Sequence, residues 1–269
     1  MITLLSPHKP KKLNQKISIL GCGWLGLALA IDLIEKGYEV YGSTTSKDKI
    51  RTLSENGVKP FLIDIGSANL DIQNFLNSDV LIISMTSKNI QDIKKLIDKI
   101  QHHKVQKVLF ISSTSVYPFT NGIVTEETPT TESNLVEIEK LFITNTSFKT
   151  TILRFGGLFG YNRKPGNFIK PNKAVDNPEG YINFIHRDDC IEIIKQIILK
   201  DVWNETLNAC AANHPKRREF YLKESKKVGH SSISFNENSK NEYKIIDSTK
   251  LRHLLNYEFK YDDLMGDFK

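Results

Sequence analysis

The residues whose spacing holds the most chemistry are Gly21-Cys22-Gly23-Trp24-Leu25-Gly26. Gly21 permits a tight turn, and Gly23 removes the side chain that would block an approaching pyrophosphate. Gly26 lets the following helix pack close to the preceding strand. The amides that open that helix, at Trp24 and Leu25, point at the phosphates together with the positive end of the helix dipole. Such a spacing carries weight only after a strand and before a helix. Here Lys16 to Leu20 is a short β-prone run, and Trp24 to Ile34 is an apolar, Leu- and Ala-rich stretch.

The segment after the second predicted strand selects the cofactor. An acid about 20 residues beyond the glycines would hold the ribose 2′-hydroxyl of NAD. This chain offers Gly42-Ser43-Thr44-Thr45-Ser46-Lys47, with no acid before Asp48. The hydroxyls of Ser43, Thr44 and Thr45, with Lys47, could hold a 2′-phosphate, which favours NADP and leaves NAD as the alternative. The plainer reading of the same residues is a turn and a helix cap.

A second cluster is His186-Arg187-Asp188-Asp189. It lacks metal-ligand spacing, so no metal is expected. Asp189 with Glu192 fits a capping box. His186 belongs to the same loop and cap, or lines a substrate pocket.

These residues need elements to hold them. Strand-like runs at Tyr38–Tyr41, Phe61–Ile63, Val80–Ile83, Val108–Ile111 and Thr151–Leu153 alternate with helical stretches at Lys47–Glu55, Ala68–Leu76, Ile90–Ile100 and Glu132–Thr144. Short unbroken apolar strands between amphipathic helices predict an α/β fold, a Rossmann-type doubly wound parallel sheet. Residues 1–15 read as an N-terminal tail, 16–160 as the dinucleotide-binding domain, and 161–269 as a small mixed α/β C-terminal lobe with parts returning to the first domain. Tyr161–Gly180, rich in Gly, Pro, Asn and Lys, reads as a long loop.

The glycine turn is followed in order by Phe110-Ile111-Ser112-Ser113-Thr114-Ser115-Val116-Tyr117, Arg154-Phe155-Gly156-Gly157-Leu158-Phe159-Gly160 and Phe184-Ile185-His186-Arg187-Asp188-Asp189. Together they resemble the extended short-chain dehydrogenase/reductases, the NAD(P)-dependent epimerase/dehydratase family. Asn208-Ala209-Cys210, His214-Pro215, Glu219-Phe220-Tyr221 and Lys244–Leu251 are similar to its atypical, shortened members.

The resemblance implies that Ser113 binds the reacting hydroxyl or carbonyl, and that Lys140 holds a cofactor ribose hydroxyl. It places Asp64 at the adenine amino group and Met85 and Thr86 beside the cofactor. Gly157 and Leu158 fall near the nicotinamide. Ser115, Tyr117 and His186 are further candidates for the substrate side. The resemblance also implies a catalytic tyrosine four residues before the lysine. That position is Val136, and no tyrosine lies between Pro118 and Gly160. Tyr117, or Glu137 on the Lys140 helix, could substitute as the proton carrier.

Composition bounds the rest. Lys+Arg 37 against Asp+Glu 31 gives +6 over 269 residues, dispersed along the chain without aromatic interleaving, so neither a nucleic-acid nor a membrane partner is expected. Three cysteines without short spacing argue against a disulfide framework and make a cytoplasmic location the default. The partner expected is a small, polar, sugar-like or nucleotide-linked molecule, with a homodimer as a further expectation from the resemblance. Two readings compete: an NAD(P)-dependent epimerase, dehydratase or reductase, and a non-catalytic NADP-binding sensor.

Overall fold

A computed structural model describes residues 15–68, 70–170, 173–230 and 232–267. The expected N-terminal tail, apart from Gln15, lies outside the described residues. The chain divides by packing into two units, residues 1–109 and 110–269. The division falls inside a strand, whereas the change in composition falls near residue 160.

The first unit is a run of βα repeats. Its elements are β1 (Lys16–Leu20), α1 (Trp24–Glu35), β2 (Glu39–Thr44), α2 (Asp48–Glu55), β3 (Lys59–Leu62), β4 (Val80–Ile83), α3 (Ile90–Gln101) and the start of β5 (Lys107–Ser113). β1 pairs in parallel with β2 on one side and β4 on the other. Ile17, Ile19 and all four residues of β4 are fully buried, as a strand covered on both faces requires. Leu29 and Leu33 of α1 and Ile93, Leu96 and Ile100 of α3 complete this core, each contributing about 1.5–3 kcal/mol of burial.

The second unit holds β6 (Gly122–Val124), α4 (Asn134–Ile143), β7 (Lys149–Phe155), β8 (Gly157–Phe159), β9 (Val175–Asp176), β10 (Phe184–His186), α5 (Arg187–Leu199), β11 (Thr206–Ala209), α6 (Arg217–Lys227), β12 (Phe235–Asn236), β13 (Lys244–Ile246) and α7 (Thr249–Leu255). β7 and β11 pair in parallel, and the main sheet has the strand order β11-β7-β5-β4-β1-β2-β3. The fold is α/β, a Rossmann-type doubly wound parallel sheet. Parallel two-stranded pairs β8–β10, β9–β12 and β6–β13 make up the mixed remainder.

Three expectations need correction. Residues 68–76 were expected as a weak helix, but their described part holds only one turn, closed by Leu76 N–H donating to Ile72 O at 2.9 Å. The Phe75 carbonyl accepts instead from Ser18 Oγ of β1 at 2.5 Å. Ile72, Phe75 and Leu76 mimic helical spacing because one turn buries all three. Asp189 is not the cap of α5. The cap is His186, whose Nδ1 accepts from Asp188 N at 3.2 Å, and Asp189 lies inside the helix, 1% exposed. The loop at 161–180 contains a 3-10 turn at Pro165–Phe168 and the strand β9.

Candidate cofactor cleft and active-site residues

β1 runs into Gly21, whose φ of +105° is a conformation that favours glycine. A Cβ there would stand 2.8 Å from Ser84 O, so a side chain has no room. Gly26, one turn into α1, is equally constrained, with a Cβ position 2.2 Å from Gly21 O. Gly23 is the opposite case. It has an ordinary φ of −82°, and nothing lies within 4 Å of its Cβ position. Two glycines are therefore required by packing and the third opens onto empty space.

That space is the mouth of a cleft of about 350 Å3 at the carboxyl ends of β1, β2 and β4. The order of strands reverses at β1, and this is where ligands of open α/β sheets bind. α1 starts at Gly23 without a side-chain cap and with no acid in its first turn. A helix start of this kind favours an anion through its dipole and the amides of its first turn. The residues fit a dinucleotide pyrophosphate.

Gly21, Gly23, Ser43, Thr44, Thr45, Asp64, Met85 and Thr86 all line the cleft. Trp24, Leu25 and Gly26 stand behind it as the first turn of α1. Ser43 has a structural duty: its buried Oγ accepts from Gly21 N at 2.9 Å and pins the glycine turn to β2. Thr44 Oγ1 likewise accepts from Ser46 N at 3.1 Å. Thr45 is exposed in the cleft.

The lysine of the cleft is Lys49, and Lys47 is not among the lining residues. The cause is the length of β2. The strand was expected to stop at Tyr41 and runs on to Thr44, so the turn and helix start later and present a residue farther along. Asp92, in the first turn of α3, was also missed. A Cβ on Gly66 would lie 3.3 Å from Asp64 Oδ1 and 3.5 Å from Asp92 Oδ2, so two carboxylates flank this end of the cleft. Cys22, within the glycine turn, is 6% exposed, and burial pushes its thiol up to about 12.

The remaining candidates belong to the second unit. Ser113 ends β5, half-buried, and its Oγ accepts from Ser115 N at 3.1 Å. The Ser113 hydroxyl proton remains available for donation. Ser115 is exposed on the 3-10 turn Thr114–Val116.

Tyr117 is 2% exposed and committed. Its hydroxyl donates to Asn208 Oδ1 at 2.8 Å and accepts from Arg154 Nη1 at 2.6 Å. Burial holds the phenol above its ordinary value. Both hydrogen-bonding directions of the Tyr117 hydroxyl are thus used within the protein. Arg154 in turn makes a forked ion pair with Glu139, Nη2 to Oε2 at 2.6 Å and Nε to Oε1 at 3.1 Å. Glu139 Oε1 also accepts from Ser112 Oγ at 2.5 Å. Glu139 precedes the exposed Lys140 and is itself 1% exposed, a buried charge that helix periodicity hid.

Val136, at the expected tyrosine position, packs with Val116, Tyr117, Val124, Cys210 and Ile246. Glu137 and Lys140 face solvent. His186 is 2% exposed and faces the Tyr261 ring at 3.8 Å, with Tyr161 and Phe159 nearby. Burial lowers its affinity for a proton. Its Nδ1 caps α5 and its ring lies against Tyr261, in line with the loop-and-cap reading.

Among the described residues no helix is long and apolar enough to cross a membrane.

Comparison with known proteins places this geometry. Residues 16–115 match the family described as NADP oxidoreductase coenzyme F420-dependent. A functionally unknown conserved protein from Silicibacter pomeroyi shares the fold with a TM-score of 0.79 at 17% identity, over 93% of this chain and 95% of that one. A UDP-glucuronic acid 4-epimerase from Bacillus cereus, solved with UDP-glucuronic acid and NAD, gives a TM-score of 0.77 at 21% identity over 93% and 96%. Protein YeeZ of Escherichia coli K12 is 30% identical over 267 residues, covering 93% of this chain and 97% of the relative. On that identity and coverage, the chain belongs to the family of Escherichia coli protein YeeZ.

Proposed function

We propose that this protein binds NADP(H) in the cleft behind the glycine turn and is an NAD(P)-dependent reductase or epimerase/dehydratase-like enzyme for a small polar substrate, of which sugar nucleotides are one class. The observation that carries the reading is the contrast among the glycines: two are demanded by packing, and Gly23 faces open space at an uncapped helix start. The match of residues 16–115 to an NADP oxidoreductase family and the epimerase likeness support it. So does the resemblance to shortened short-chain dehydrogenase/reductases.

The α1 amides hold the pyrophosphate, Thr45 and Lys49 the 2′-phosphate, and Asp64 the adenine amino group. When bound, a nicotinamide supplies or accepts hydride. The resemblance assigns Ser113, in the second unit, to a substrate oxygen and Lys140, exposed on the same unit, to a ribose hydroxyl.

A second reading, a non-catalytic NADP-binding sensor, is favoured by one arrangement: Val136 is buried where the proton carrier would stand, and the phenol of Tyr117 is already bonded twice. Purified protein titrated with NADPH and NADH, and then assayed on sugar nucleotides and aldehydes, separates the readings. We expect tighter binding of NADPH, a roughly tenfold loss in Lys49→Gln with NADH unaffected, and turnover abolished by Ser113→Ala. Equal affinity for both cofactors removes Lys49 from the account. Tight binding without turnover on any substrate selects the sensor.

A further inference from the structure

Three pieces of the second unit meet on His186, at the start of α5: the end of β8, the helix itself and the segment around Tyr261. His186 Nδ1 accepts from Asp188 N at 3.2 Å, so the neutral ring carries its proton on Nε2. The Oδ2 of the same Asp188 lies 3.8 Å from that nitrogen. One residue thus offers Nδ1 both a donor, its amide, and an acceptor, its carboxylate.

That carboxylate is already engaged. Oδ1 accepts from the Tyr161 hydroxyl at 2.8 Å, and Oδ2 accepts from the Tyr261 hydroxyl at 3.2 Å, with Lys260 Nζ 3.9 Å away. The two phenols are not held alike. Tyr261 lies against the imidazole, its amide donates to Asp189 Oδ2 at 3.1 Å, and Leu264, three residues on, is fully buried. Tyr161 is 55% exposed and sits at a φ of +54°, a conformation that a bulky residue rarely adopts. It stands in a tight turn closed by Gly160 N donating to Arg163 O at 3.1 Å and Arg163 N to Gly160 O at 2.9 Å. Its side chain is fixed by the Asp188 bond and by the Arg187 guanidinium, 3.9 Å from its ring.

A proton on the ring reverses these preferences. An imidazolium donates from both nitrogens, so Nδ1 must give up the Asp188 amide. It attracts the Asp188 carboxylate and repels the Arg187 and Lys260 cations that face it. The other groups packed on the ring are Phe159 and the two phenols.

We propose that His186, Asp188 and Tyr161 form an acid-operated latch, in which a proton taken from solvent onto Nδ1 releases the Asp188 amide and draws the Asp188 carboxylate onto the ring. Tyr161, the exposed and strained partner, then loses its hydroxyl bond, and the turn that opens the 161–180 segment comes free of α5. Tyr261 stays, because its backbone and Leu264 hold it. Burial lowers the affinity of the ring for a proton, so the latch opens below the ordinary histidine value of 6.5. It lies wholly in the second unit and is independent of the dinucleotide reading.

The test follows the full chain by NMR between about pH 7.5 and 5, with isotope-labelled histidine and tyrosine rings and the Tyr161 signal assigned by its loss in Tyr161→Phe. The Tyr161 ring should shift reversibly toward the position of an exposed tyrosine, with the same midpoint as the His186 ring. The Asp188 amide, corrected for the intrinsic effect of pH, should exchange at least about tenfold faster at the acid end. His186→Asn keeps a cap acceptor but takes no proton, and its Tyr161 signal should stay flat. Asp188→Asn leaves the imidazolium no carboxylate to draw and should also be flat. Thermal melting checks that both variants stay folded, and the comparison of the two wild-type midpoints stands without them. A Tyr161 signal that does not move, that moves with a midpoint apart from that of His186, or that moves equally in either folded variant would overturn the proposal.

Discussion

At the scale of single residues, the glycine turn separates what folds the chain from what binds. Gly26→Val places a Cβ 2.2 Å from Gly21 O, so the variant should melt well below the wild type. Gly23→Val meets nothing within 4 Å and sits at an ordinary φ, so it should melt with the wild type. It should nonetheless lose NADPH affinity by at least about a hundredfold, roughly 2.7 kcal/mol, because its branches fill the phosphate approach. Parallel melting curves and NADPH titrations check both. A folded Gly23→Val with unaltered affinity would remove the dinucleotide from the cleft. The glycines were legible in the sequence because the requirement is written in residue type alone. The duty of Ser43 was not, because its hydroxyl bonds across 22 positions to an amide, and only strand pairing brings the two together.

At the scale of elements, α4 is tied to its sheet by a charge. The Glu139–Arg154 pair joins helix to β7, and Tyr117 and Asn208 extend it to β11. Removing one partner of a buried pair strands the other, at about 3–5 kcal/mol. Glu139→Gln should therefore lower unfolding free energy by that order in urea titrations, and Lys140→Gln, on the exposed face of the same helix, by almost nothing. Equal stabilities for the two variants would show that the pair holds nothing. Apolar periodicity identified α1, α3 and α4 and the strand β4 without ambiguity. It failed at residues 68–76, where one turn imitates a helix, and at Glu139, where a buried acid reads as a solvated one. The end of β2 failed for a related reason: Gly42-Ser43-Thr44 is turn-like in composition but is held in register by pairing with β3.

At the scale of the whole molecule, protons bear on stability. Burial lowers the proton affinity of both His186 and His214 below the ordinary value of 6.5. The unfolded chain then binds more protons than the folded one in the window just under 6.5. Stability should be complete above 6.5 and fall as pH drops through that window, while the raised carboxyls of Glu126 and Asp189 act in the opposite sense from their lower starting values. Melting temperatures between pH 7.5 and 5.5 check the sign, and His214→Gln should flatten the slope. A melting temperature that climbs on acidification across this range would contradict the assignment. The overall α/β plan was legible because alternation of strand and helix needs only local pattern. The sites of the second unit were not, since they are assembled from short strands and turns whose partners lie tens of residues away.

The three thiols carry a consequence for experiment. Cys22 lies under the glycine turn of the first unit, and Cys190 and Cys210 are fully buried in the second. Each is inert while its surroundings stay closed. A labelling reagent can therefore modify them only when a unit opens, so the chain contains its own clocks: one ticks with the breathing of the nucleotide turn, and two with the breathing of the other half.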